Sequence, residues 1–134
     1  MIVLDDSLDA HDVLVPLRQW ARGRVLFLRE LRPGSVIKDE AVPSLLRRHK
    51  HAVFVTTNVG DFWRRVPAYA RYCIICVCLP NERQWEIPTF IRRLFQQPEF
   101  RTGAARMGRV IRLTDMRIEW YQAARSLGQS AEWE

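Results

Sequence analysis

Apolar residues fall along this chain in short blocks whose spacing switches between strand-like and helix-like. Ile2 to Leu4 is an apolar run that stops on the paired acids Asp5 and Asp6, which predicts a first strand. Leu14, Leu17 and Trp20 recur at helical spacing, with Pro16 acceptable in a first turn or at a kink. "RVLFLRE", after Gly23, predicts a second strand. From Lys38 to His49, Ala41, Val42, Leu45 and Leu46 share one face, so a helix is expected there, with Pro43 in its first turn. "HAVFVTT" and "YCIICVCL" are continuous apolar runs, the pattern of strands covered on both faces. "EIPTFIRRLFQQ" reads as an amphipathic helix with Phe90, Ile91, Leu94 and Phe95 inward and Arg92 and Arg93 outward. "GRVIRLTDMRIEWYQ" alternates on either side of Thr114 to Met116 and predicts a β-hairpin. The residues from Ala123 on are polar and read as a loose tail, 123–134. With no repeat and no linker, the pattern predicts one α/β domain over 1–122: a mainly parallel central sheet flanked by helices, closed by a C-terminal β-hairpin.

A chain of 134 residues with 48% hydrophobic content suits a single domain with a real core. No apolar run approaches the roughly 20 residues that cross a bilayer, and the opening lacks a basic-then-apolar signal pattern. A cytoplasmic protein without a membrane partner is therefore expected. The charge changes the picture more. There are 21 basic and 15 acidic residues, a net +6, and all the basic residues except Lys38 and Lys50 are arginine. Arginine's planar fork grips phosphate at two points, which favours a nucleic-acid partner, although a GC-rich genome produces the same composition.

Cys73 and Cys76 form a C-x-x-C spacing, but on a strand they face opposite ways and cannot share a metal. Buried thiols acting as small hydrophobes are the better reading. His11, His49 and His51 fit no helical ligand spacing.

The acids carry the chemistry. In a parallel α/β sheet, ligands collect outside the carboxyl ends of the strands, near the point where strand order reverses. Asp5 and Asp6 end the first strand, Asn58 and Asp61 follow the third, and Asp39 and Glu40 start the helix after the second. Clustered carboxylates repel unless a cation neutralises them, and hard oxygen donors select Mg²⁺ or Mn²⁺. Taken singly, Asp39 would serve equally as a helix cap and Asp61 as a turn residue. Asp5 needs more explanation, because a carboxylate ending a buried strand must be compensated. Asp6 and Glu40 are expected to point outward or to support the site from behind. A phosphoryl-accepting receiver domain is excluded, since the third strand ends in Thr56 and Thr57 and neither lysine precedes a proline. The glycines form neither a dinucleotide fingerprint nor a phosphate loop.

"VLDDSL", "KDEAVPSLL" and "VTTNVGDFW", in that order, resemble the motifs of the PIN-like domains of bacterial toxin-type ribonucleases, in particular a small branch with "LLDENL" and "VTxDxDF". The resemblance spans roughly Met1 to Leu113. It implies a metal-dependent endoribonuclease, the toxin of a toxin–antitoxin pair, in which Asp5, Asp39 and Asp61 hold Mg²⁺ or Mn²⁺ and the products carry 5′-phosphate and 3′-hydroxyl ends. Thr57 and Asn58 would orient the water. Arg64 and Arg65, with Arg101, Arg106, Arg109 and Arg112, would steer RNA. Asn58 stands where many relatives place an acid, with one extra residue before Asp61. The alternative is a catalytically degenerate PIN-like module that binds RNA or protein. A cognate antitoxin and a homodimer are partners the resemblance implies. The helix Ile87 to Phe95 would be the dimer surface, unless its apolar face simply packs on the sheet.

Overall fold

The computed structural model describes residues 1–123 and 125–134. Its centre is a seven-stranded sheet in the order β2-β1-β3-β4-β5-β6-β7. The strands are β1 (Ile2–Leu4), β2 (Val25–Phe27), β3 (Ala52–Thr56), β4 (Tyr72–Val77), β5 (Arg109–Leu113), β6 (Arg117–Gln122) and β7 (Arg125–Glu132). The first five pair in parallel, and β6 and β7 add on antiparallel. The chain leaves β1 for β2 on one side and returns to β3 on the other, so the order reverses at β1.

Alternation in the buried strands makes two cores. Ile2, Leu4, Val53, Val55, Cys73, Ile75 and Val77 face one side. Val3, Ala52, Phe54, Tyr72, Ile74 and Cys76 face the other. The first core is covered by a π-helical turn at Ala10–Leu14 continuing into α1 (Val15–Trp20), through Leu14 and Leu17. The second is covered by α2 (Val42–Leu46) and by Phe62 of the short α3 (Val59–Phe62). Helix α4 (Ile87–Gln96) buries Ile87, Phe90, Ile91 and Leu94 in the first core, so the apolar face considered for a dimer is already used inside the molecule. The short α5 (Gly103–Arg106) leads into β5.

Three expectations change. The second strand is only Val25–Phe27, because the chain turns into a 3₁₀ segment at Leu28–Leu31, where Glu30 Oε2 accepts from Phe27 N at 2.7 Å. The helix expected over Lys38 to His49 is a 3₁₀ turn at Asp39–Ala41 followed by one α-helical stretch that ends at Leu46. Pro43, with no N–H to donate, sits at the start of that stretch. In the segment expected to be a loose tail, Arg125–Glu132 is a strand. β7 pairs with β6 through Ile118↔Ala131 and Arg117↔Glu132. Just beyond it, the Trp133 ring packs edge-on against Phe90, and its Nε1 donates to Thr114 O at 2.9 Å.

The cysteines sit as the alternation predicts. Cys73 lies in one core and Cys76 in the other, and burial pushes both thiols up to about 12. Neither is a thiolate at neutral pH.

Candidate active site

Side-chain parity decides which acids meet. Asp5 follows Leu4, so by alternation it takes the face of Val3, and Thr56 takes the face of Phe54. That is the face covered by α2, and Asp39 opens the turn leading into it. Since Leu4 is opposite Val55 in the parallel ladder, Asp5 and Thr56 come side by side. The Thr56 hydroxyl donates to Asp5 Oδ2 at 2.6 Å, and Ser7 N donates to Oδ1 at 3.3 Å. Both oxygens of Asp5 are thus engaged at the carboxyl end of β1, where the strand order reverses.

Asn58 joins the other two acids. Its Nδ2 donates to Asp61 Oδ2 at 2.7 Å and to Asp39 Oδ2 at 3.3 Å. Its own backbone N–H is fixed by Thr56 Oγ1 at 2.9 Å. One threonine therefore positions both Asp5 and Asn58. Partial burial, then the charges of Asp5 and Asp61, hold the Asp39 carboxyl above the ordinary value of 3.8. The three acids that the motifs single out converge, although they come from three separate segments.

The other candidates are placed differently. Asp6 points the opposite way from Asp5, and its Oδ1 accepts from Arg29 N at 3.0 Å and Arg29 Nη1 at 3.2 Å. Glu40 is exposed beside Asp39 and acts on it only through its charge. Thr57 supplies a backbone carbonyl to Val59 N, whereas the hydroxyl that touches an acid belongs to Thr56. Strand parity carried that signal, since only alternate residues of β3 share the face of Asp5.

The arginines divide. Arg65 is exposed three residues beyond α3, the helix that carries Asp61. Arg64 turns away, over the rings of Trp63 and Tyr121, with a backbone φ of 61°. Arg112 lies over Trp63 and pairs with Glu119 at 2.7 Å. Arg109 begins β5, opposite Cys73, and is tied to Glu99 at 3.2 Å. Arg101 and Arg106 lie with Ile2 and Val53 at the amino ends of the strands, the far edge of the sheet from the acids.

Hard oxygen donors and a repulsion centred on Asp39 fit a divalent cation such as Mg²⁺ or Mn²⁺. Among the described residues, however, no three His, Cys, Asp or Glu side chains stand close enough together to hold a metal as they are. The amide of Asn58 fills that role in part, giving Asp39 and Asp61 a shared donor in place of a shared cation. Turning the amide by half a rotation about its last bond would present its oxygen to a cation instead. Comparison with protein-family models, with curated proteins and with solved structures returns no match.

Proposed function

We propose that the protein is a PIN-like, Mg²⁺- or Mn²⁺-dependent endoribonuclease that hydrolyses RNA phosphodiester bonds, acting as the toxin of a toxin–antitoxin pair. The observation that carries this reading is the convergence of Asp5, Asp39 and Asp61 at the switch point of the sheet, where Asn58 bridges Asp39 and Asp61, and partial burial together with the charges of Asp5 and Asp61 raises the carboxyl of Asp39. Such crowding costs stability and is a common mark of a site kept for function rather than for folding. A bound Mg²⁺ or Mn²⁺, held by these three carboxylates, would supply an acidified water and positive charge beside the phosphate.

The chain's own groups do the rest. Thr56 and Ser7 hold Asp5 in one orientation, which preorganises it. Asp39, its carboxyl raised by partial burial and by the charges of Asp5 and Asp61, is relieved when a proton or a positive charge arrives. Asn58 keeps Asp39 and Asp61 from separating. Arg65 and Lys38, both exposed and next in sequence to the acidic segments, offer phosphate contacts at this rim.

The Asn58 bridge favours one competing reading, a catalytically degenerate PIN-like module that binds RNA or protein, because an amide already relieves the repulsion a metal would relieve. Incubating the protein with mixed cellular RNA in Mn²⁺, Mg²⁺ or chelator separates the two. The nuclease reading predicts metal-dependent fragments with 5′-phosphate ends. RNA left intact under every condition, but retained on the protein, would replace it with the binding module.

A further inference from the structure

At the amino ends of β1 and β3, on the edge of the sheet opposite the acids, lies a cleft of about 620 Å³. Its size is within the roughly 300–1,000 Å³ typical of small-molecule sites. Trp20 and Phe95 form an aromatic wall, meeting edge to face at 6.0 Å. Arg22, Arg101, Arg106 and His51 stand around it, and no Asp or Glu lines it. Among the described residues, none of these three arginines is paired with a carboxylate.

Arg106 makes the arrangement more than a patch of surface charge. Its guanidinium lies 3.8 Å from the centre of the Phe95 ring, and its Nη1 donates to Phe100 O at 2.9 Å. Its Nε is buried with no hydrogen-bond partner. Burial also holds its pKa below the ordinary value, the direction expected of a cation without a counter-ion. An unpaired, half-buried guanidinium costs stability unless an anion completes it.

We infer that this cleft binds a nucleotide, with the phosphate taken by Arg106 together with Arg22 and Arg101 and the base laid against Trp20. Arginine matches phosphate with two parallel donors, and an aromatic face accepts any base. The shared chemistry is a phosphate joined to a heteroaromatic base, which comes from a free nucleotide or from the phosphorylated 5′ end of an RNA. The inference does not depend on the acids being catalytic.

The test is calorimetric titration in chelator, which keeps metal chemistry out, with AMP, adenosine, inorganic phosphate and short RNAs bearing 5′-phosphate or 5′-hydroxyl ends. AMP should bind at least about tenfold more tightly than adenosine or phosphate, since both halves contribute. Arg22→Glu and Arg101→Glu lie at exposed positions and should keep the fold, checked by thermal unfolding, while each weakens AMP by about tenfold or more. An RNA whose 5′-phosphate end binds like AMP, with its 5′-hydroxyl counterpart failing, identifies the RNA end as the source. AMP binding without either RNA identifies a free nucleotide. The inference is overturned if AMP binds no better than phosphate, if no probe binds, or if binding survives both charge reversals. None of those failures would bear on metal-dependent cleavage, which is measured at the other edge with the metal present.

Discussion

Thr56 is fully buried, and its hydroxyl serves Asp5 as donor and Asn58 as acceptor. Thr56→Val keeps the shape and removes both bonds. The expected cost is about 1–3 kcal/mol in chemical denaturation, because Asp5 loses a charge-assisted donor. Cleavage should fall by about tenfold or more, as expected when a reacting group loses its positioning. Asp39 gives a prediction of opposite sign. Its folded-state carboxyl lies above its ordinary 3.8, so its contribution favours folding most below that value and is lost as pH rises through the raised one. Asp39→Asn should therefore raise the melting temperature at neutral pH and flatten its fall across that window, while abolishing cleavage. At this scale the sequence was readable where a residue's role follows from its position at a strand end, as for Asp5. It was misleading where two neighbours share a residue type. Thr57 looked equivalent to Thr56, and only the parity of a paired strand separates them.

Elements were legible in proportion to their burial. β1, β3 and β4 are covered on both faces, and their continuous apolar runs have no competing explanation. The second strand and the helix near Pro43 were overdrawn because local interactions end them: Phe27 N donates to Glu30 in one case, and in the other Pro43 limits the first turn while Arg48 N and His49 N bond back to Leu45 O and Leu46 O at the last. β7 was invisible in the pattern. An edge strand needs few apolar side chains, and its backbone pairing with β6 leaves no mark in composition. Its importance is testable. Removing residues 124–134 would expose β6 as an edge and take away the Trp133 contact with Phe90, so the shortened chain should aggregate and lose several kcal/mol. On the other face, Phe62 is fully buried 5.3 Å from Phe54 and anchors the helix that carries Asp61. Phe62→Ala should cost about 3–5 kcal/mol in denaturant unfolding and loosen the site with it.

The whole molecule places negative and positive chemistry at opposite edges of one sheet. The acids gather at the carboxyl ends, and the Arg22, Arg101 and Arg106 cleft lies at the amino ends. Topology made the first cluster predictable, because the reversal of strand order marks the carboxyl edge before any side chain is placed. The second was not predictable, since the residues around it come from the end of α1, the turn before β3, the end of α4 and the segment before β5, which only the finished fold brings together. In the proposed function, Asp5, Asp39 and Asp61 form one cation site to which Asp6 does not belong. Calorimetric titration with Mn²⁺ tests it directly on the wild type and on Asp5→Asn, Asp39→Asn, Asp61→Asn and Asp6→Asn, each checked for folding. Saturable binding is expected for the wild type, at least about tenfold weaker in each of the first three variants and nearly unchanged in Asp6→Asn. No saturable binding by the wild type, or an equal loss in Asp6→Asn, would contradict it.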